Sequence, residues 1–256
     1  MEDKVALVTG AAGGIGAAVA VELGRRGARV AAVDRDAERL AEVVDKLTAD
    51  GLVVEAFPAD VTHSDEVAAL VDGVERTLGP LDFLVNAAGV LRTGPVRHQS
   101  DEDWAATFAV NTTGVFLVSR AVVNRMVPRS RGAIVTVASN AAGTPRMEMA
   151  AYAASKAAAA MFTKCLGLEV AEHGIRCNIV APGSTDTAML RSTWQDGDGP
   201  QATIDGFPKA YKVGIPLRKI ARPADVADAV VFLLSERAGH ITMHDLTVDG
   251  GATLGV

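Results

Sequence analysis

The chain has 256 residues, with 25 Lys or Arg against 31 Asp or Glu, and the resulting net charge of −6 argues against a cationic footprint for nucleic acid or an anionic membrane. Aromatic residues make up 4%, too few for a base-stacking platform, while 49% hydrophobic and 22% charged residues are values of a globular rather than a disordered chain. The length suits one large domain or two small ones, with ample material for a core.

Cys165 and Cys177 cannot build a disulfide framework, and no Cys/His grouping has zinc-ligand spacing, so no metal is expected. MEDK leads straight into an apolar run, which fits no secretory signal, and no stretch approaches an uninterrupted apolar membrane span. The expected location is a reducing cytoplasm, with no nucleic-acid or membrane partner.

Short β-branched runs alternate with longer Ala- and charge-rich segments. Strands are expected at 5–8, 29–33, 53–57, 81–85, 133–138, 176–180 and 246–248. Helices are expected near 15–26, 36–49, 64–77, 101–127 (one helix or two), 150–173 and 223–235. Asp36, Ser64 and Asp101 read as N-caps and Pro223 as a first-turn proline. Such alternation means βαβ units in an α/β fold: a doubly wound, Rossmann-like parallel sheet with helices on both faces and right-handed crossovers. No repeat or linker interrupts it, so residues 1–256 read as a single dinucleotide-binding and catalytic domain. Residues 184–215 break the pattern with Gly-Asp-Gly-Pro and scattered aromatics. They read either as a surface insertion or, preferably, as a substrate lid, because they follow a strand's C-terminal end, where open sheets bind ligands.

After the first strand comes Thr9-Gly10-Ala11-Ala12-Gly13-Gly14-Ile15-Gly16, then a helix. Glycines here allow a tight turn and close approach to a pyrophosphate, which meets the free N–H groups and positive dipole end of the helix. Asp34 closes the second strand 18 residues after Gly16. Its carboxylate can accept bonds from an adenosine ribose and repel a 2′-phosphate, favouring NAD over NADP, although Arg35 partly offsets the repulsion and a solvated turn acid is the bland reading. Asp60 and Val61 end the third strand near the expected adenine. Asn86-Ala87-Ala88-Gly89 ends the fourth, where small residues leave room for cofactor.

Tyr152 and Lys156, four apart on a helix, share one face, and Ser139 ends the strand 13 residues before Tyr152. Oxidation of a secondary alcohol needs a base for its proton as hydride leaves. A phenol with pKa about 10 is too weakly ionised at neutral pH, and an adjacent ammonium lowers it. A serine hydroxyl can hold the substrate oxygen in line. Tyr-x-x-x-Lys alone is often a helix-surface pair; its company here makes it a catalytic set. Asn111, in isolation, is only a helix-interior residue.

TGAAGGIG at 9–16, NAAG at 86–89, Asn111, Ser139, Tyr152, Lys156 and Pro182-Gly183 resemble the short-chain dehydrogenase/reductase family over essentially the whole chain. The resemblance implies a seven-stranded sheet, a nicotinamide cofactor and a homotetramer pairing helices 101–127 and 150–173. It gives catalytic roles to Ser139, Tyr152, Lys156 and Asn111, whose amide would fix a water beside Lys156. Around the cofactor it places Gly10, Gly14, Ile15, Gly16, Asp34, Asp60, Val61, Asn86, Gly89, Tyr152, Lys156, Pro182, Gly183 and Thr185, with Thr187 on the nicotinamide carboxamide.

Residues 88–92, 133–158, 182–190, 214–223 and 240–255 further resemble the 2,3-dihydro-2,3-dihydroxybenzoate dehydrogenases of catecholate siderophore pathways. Asn140 stands where that subgroup would carry an acid, and residues 184–215 are the chain's own. The substrate implied is a small ring carboxylic acid, oxidised at C3 by NAD. Its carboxylate needs a cation: Arg92 after the fourth strand and Arg146 after the fifth are the candidates, each with a solvated surface role as the alternative. Met189, with Met147, Met149 and Trp194, reads as a wall for the ring or as gap-filling core. Related dihydro-hydroxyanthranilate dehydrogenases, generic oxoacyl or sugar reductases, and a catalytically silent NAD-binding protein are the competing readings.

Overall fold

The computed structural model describes residues 1–194 and 199–255. β1 (Val5–Thr9) is buried along its whole length, as an unbroken apolar run demands of a strand covered on both faces. Next come α1 (Gly14–Arg25), β2 (Arg29–Asp34), α2 (Ala37–Ala49), β3 (Val54–Pro58), α3 (Ser64–Thr77) and β4 (Leu81–Asn86). The second half contributes α4 (Asp101–Phe108), a π-helical turn (Ala109–Gly114), α5 (Val115–Met126), β5 (Gly132–Val137), α6 (Ala150–Val170) and β6 (Ile175–Pro182). Two short helices, α7 (Ala188–Arg191) and α8 (Gly199–Asp205), precede α9 (Pro223–Leu234) and β7 (Asp245–Val248).

All seven strands run parallel in the order β3-β2-β1-β4-β5-β6-β7. Side-chain alternation along β1 feeds two separate cores. Ala6 and Val8 pack with Val19 and Leu23 of α1, Leu40 of α2 and Val230 of α9. Val5 and Leu7 pack with Leu70 of α3, Val122 of α5 and Leu166 of α6. The expected doubly wound α/β sheet is thus present, and the strand order reverses between β1 and β4. That reversal opens a crevice at the strands' C-terminal ends.

The expected strands fall within about two residues of the observed ones. Helix 101–127 is one helical run with a π turn inside it, and Asn111 sits in that turn. The run Asp101–Arg129 has the length and apolarity of a membrane-crossing helix, yet its Val118, Val122 and Met126 are buried in the core. Asp36 caps α2, accepting from Arg39 N at 3.1 Å, and Pro223 opens α9. Two caps differ from expectation by one residue. His63 precedes α3, and Ser100, not Asp101, caps α4 by accepting from Asp103 N at 3.0 Å. A cap needs extended backbone before the first turn, and Ser100 has it; the acids 101–103 then meet the helix dipole.

The stretch 184–215 carries, in its described residues, more regular structure than a plain loop. It carries α7, α8 and a turn at Pro208–Ala210, and it is pinned by bridges Thr185↔Ala221 and Phe207↔Lys212. Residues 195–198, which include the first Gly-Asp of its Gly-Asp-Gly-Pro, lie outside the described residues.

Candidate active site

The crevice divides into two clefts that share Ile15, Ala87, Gly89, Thr187 and Met189. The first, of about 370 Å³, lies over the glycine turn and is lined by Gly10, Gly14, Gly16, Asp34, Asp60 and Val61 among others. Its glycines are required by close approach. A Cβ on Gly16 would stand 2.2 Å from the Gly10 carbonyl oxygen, and one on Gly10 2.8 Å from Ala88 Cα. Gly10 also takes φ of +72°, a left-handed conformation. α1 starts at Gly13 with no side-chain cap, so its first N–H groups face the cleft without a side-chain competitor. This cradle fits a dinucleotide pyrophosphate.

Asp34 closes β2 at the far end. Its Oδ2 accepts from Ala12 N at 3.2 Å and its Oδ1 from Asp36 N at 3.1 Å, which locks the carboxylate beside the glycine turn. Asp60 accepts from Thr62 N and Oγ1 at 2.9 and 2.7 Å, and these bonds hold its carboxyl below the ordinary value against the opposing effect of burial. The Arg39 guanidinium lies over the turn, 3.0 Å from where a Gly13 Cβ would be. Sequence reasoning noticed Arg35 and passed over Arg39. Its place in the first turn of α2, five residues after Asp34, was the available sign.

The second cleft, of about 350 Å³, holds the reacting set: Ser139, Tyr152 and Lys156 all line it, with Pro182, Gly183 and Thr185. Ser139 follows β5, and its Oγ accepts from Ala141 N at 3.1 Å, which fixes the hydroxyl at the strand's end. Tyr152 and Lys156 lie in the first turns of α6 and are buried. Burial pushes the phenol above its ordinary value, with the Ser139 hydroxyl pulling against it. Burial also lowers the Lys156 ammonium to about 8. The expected lowering of the phenol by the lysine is not what the protein alone shows. Lys156 Nζ donates to the Val137 carbonyl at 2.9 Å and stands 5.9 Å from the centre of the tyrosine ring, so burial dominates the phenol.

Asn111 is brought to this set, but its amide is largely spent. Its Oδ1 accepts from Val90 N at 2.9 Å; its Nδ2 donates to Val90 O at 2.9 Å and to Ser155 Oγ at 3.0 Å. The side chain therefore ties the loop after β4 to α6, leaving one lone pair of Oδ1 for a water. Oδ1 and Lys156 Nζ lie 3.4 and 3.3 Å from where a Gly89 Cβ would be, so that glycine keeps the space between them open. Thr187 caps α7, accepting from Leu190 N at 3.3 Å, and its methyl lies over Gly14 at the junction of the clefts.

Three expected residues lie elsewhere. Asn86 is buried in β4 and lines neither cleft; its Nδ2 donates to Ser119 Oγ at 2.9 Å, because strand alternation turns it under the sheet. Arg92 points away: its neighbours Leu91 and Thr93 take the cleft-facing positions, and its Nε pairs with Asp103 at 3.4 Å on the surface. The Trp194 indole donates to Thr203 Oγ1 at 3.1 Å and is not on the cleft wall. Arg146, Met147, Met149 and Met189 do line it. Lys212, which sequence reasoning missed, joins them there.

The family model for short chain dehydrogenase matches residues 4–198. A 2,3-dihydro-2,3-dihydroxybenzoate dehydrogenase of Bacillus subtilis (strain 168) is 59% identical, covering 100% of this chain and 98% of the relative. The protein of the same description from Escherichia coli (strain K12) is 44% identical over 97% of this chain and 96% of its own length. A solved 7 alpha-hydroxysteroid dehydrogenase complexed with NADH and 7-oxo glycochenodeoxycholic acid superposes with a TM-score of 0.90 at 32% identity, covering 98% of this chain and 94% of that one.

Proposed function

This chain belongs to the short-chain dehydrogenase family, and from that premise we propose that it oxidises the C3 alcohol of 2,3-dihydro-2,3-dihydroxybenzoate with NAD, giving 2,3-dihydroxybenzoate. The observation that carries the substrate is the cleft itself, in which Ser139, Tyr152 and Lys156 share one wall system with the half-buried Arg146. The 59% identity across the whole chain to a relative of that activity supports the same reading. Asp34, locked at the end of β2, supports NAD over NADP.

Bound NAD supplies the hydride acceptor. Ser139 holds the C3 hydroxyl by hydrogen bonding and aims it at Tyr152. The phenolate oxygen of Tyr152 takes the hydroxyl proton as C3 loses hydride, which leaves a ring ketone. Tyr152 must first lose its own proton, and Lys156, lowered to about 8, is the neighbouring group that exchanges protons near neutrality. The ketone then loses its C2 proton and gains one on oxygen, becoming the aromatic catechol, which makes the overall reaction hard to reverse. The Arg146 guanidinium balances the ring carboxylate, which would be costly to bury unpaired. Residues 184–215 act as a substrate lid, with Met189 against the ring.

The test is a spectrophotometric assay of NADH formation with the trans-dihydrodiol acid. Arg146→Ala should lower kcat/KM for the acid about 10²-fold, or roughly 3 kcal/mol, while an uncharged cyclic diol loses far less. A wild type that leaves the acid untouched, or an Arg146→Ala enzyme that handles it normally, refutes the assignment. We further propose a cytoplasmic homotetramer, with two free cysteines and exposed apolar side chains Trp104, Phe116, Met161 and Leu168 along α4, α5 and α6 as its support. Light scattering that finds a monomer at micromolar concentration refutes the tetramer.

A further inference from the structure

Lys212 is turned against the usual grain of a surface loop. Tyr211 and Val213 on either side are 89% and 56% exposed, while the lysine between them is half-buried. Free choice would hide the apolar pair and leave the ammonium in water. The backbone enforces the reversal. Phe207 N donates to Lys212 O at 2.8 Å, and Lys212 N donates back to Phe207 O at 3.1 Å. Together they close a loop over the turn Pro208–Ala210. At its base Gly206 and Gly214 touch so closely that a Cβ on Gly206 would stand 2.4 Å from Gly214 N. The Arg218–Asp205 ion pair, at 2.6 Å, fastens the same base.

The Lys212 side chain thus enters the substrate cleft from the 184–215 stretch, while Arg146 enters it from the loop after β5. Burial lowers both cations; the charge of Arg146 lowers Lys212 further, while Asp249 pulls Arg146 the other way. Among the described residues neither has a carboxylate within 4 Å. Asp249, the acid that Arg146 senses, is committed elsewhere: it accepts from Gly251 N, Thr253 N, Thr253 Oγ1 and Asn140 Nδ2 at 2.8, 3.0, 2.7 and 3.2 Å. Glu148, also on the wall, is exposed. Two partly desolvated like charges repel, and an anion placed between them offsets that repulsion by attracting both.

We propose that Lys212 is a substrate-binding and specificity-determining residue, clamping the ring carboxylate together with Arg146, one cation from each of two loops that line the cleft. The inference rests on the reading of the substrate given above. It makes the 206–214 loop more than a cover, because the substrate's own charge ties it to the loop after β5. It would also give a cleft walled by Met147, Met149 and Met189 the means to discriminate a ring acid from an uncharged ring alcohol.

The experiment is calorimetric titration of 2,3-dihydroxybenzoate, and separately of catechol, into the enzyme–NADH complex. Lys212→Met should weaken the acid about 10-fold or more, the loss of one charge-assisted contact, and move catechol by less than about 2-fold. Lys212→Arg should bind the acid within about 3-fold of wild type, since the charge is kept. Equal weakening of acid and catechol in Lys212→Met overturns the proposal in favour of a structural role. Unchanged acid affinity in that variant overturns it outright and leaves the proposed reaction standing. A wild-type complex that binds neither ring refutes the reaction, and the clamp with it.

Discussion

Lys156 is the costliest catalytic group in this fold to keep buried, and replacing it should make the cofactor-free protein more stable. The side chain is 5% exposed, and its one hydrogen bond among the described residues goes to the Val137 carbonyl. An ammonium has three N–H donors, so two lack a described partner. Burial moves the group from 10.5 to about 8, and at about 1.4 kcal/mol per pH unit this is a penalty of about 3 kcal/mol on the folded state. Because the folded value lies below the unfolded one, the unfolded chain binds more protons between the two. The penalty is therefore fully present below pH 8 and fades as pH rises toward 10.5. Lys156→Met keeps the aliphatic stem and removes the charge, at about 1 kcal/mol for the Val137 carbonyl left without its donor. The net gain is about 2 kcal/mol at pH 7, worth roughly 4–8 °C in Tm for a chain of this size. Urea unfolding of the cofactor-free variant and wild type at one protein concentration, at pH 7 and pH 10, measures the difference; comparing the two proteins cancels the other titrating groups. A variant no more stable than wild type at pH 7, or a gain that does not shrink by pH 10, refutes the reasoning. The same substitution should cost about 10²–10⁴-fold in turnover, since the proton exchanger beside Tyr152 is gone.

Tyr152→Phe should abolish turnover while leaving NAD affinity within about 3-fold, because the ring still packs and only the proton acceptor is lost; steady-state rates and cofactor titration by fluorescence measure both. Asp34→Ser should raise the NADP/NAD ratio of kcat/KM about 10-fold or more, a change of one to two kcal/mol, since Arg35 and Arg39 remain beside the position a 2′-phosphate would take. A wild type that already prefers NADP counts against that role of Asp34. Gly16→Ala should weaken NAD about 10-fold or more and lower Tm, because its Cβ would meet a backbone oxygen at 2.2 Å that no rotamer change can relieve.

What was legible in the sequence was local. The glycine turn between an apolar strand and a helix, the acid closing β2, and a Tyr-Lys pair one helical turn apart each carry their geometry in their own spacing, and all lie where expected. Ser139 was legible because it stands just past β5, where its Oγ caps the turn Asn140–Ala142 by accepting from Ala141 N. Even so, the electrostatics of the set were not: the phenol is raised because packing around α6 buries it, a property that no spacing encodes.

Past a strand end, legibility fails for a definite reason. Arg92 and Arg146 are both candidate carboxylate partners in the sequence, with Arg146 favoured only because it follows Ser139 by seven residues on the same loop. What separates them is which residue of each loop faces inward, and that depends on how the loop leaves the sheet. After β4 the chain turns Leu91 and Thr93 inward and Arg92 toward Asp103. After β5 the turn Asn140–Ala142 swings the chain back over the cleft and carries Arg146 in. Lys212 lies further still from any strand, in a stretch with no period to read. Its one sign was the order Tyr-Lys-Val between Gly206 and Gly214, a cation framed by apolar residues in a pinched loop. Only a backbone bridge such as Phe207↔Lys212 decides which of the three faces in. Catalytic chemistry that must be rigid is thus written into regular elements and the turns directly at their ends. Substrate choice is written into loops, where a single inversion of facing moves a cation from solvent to substrate.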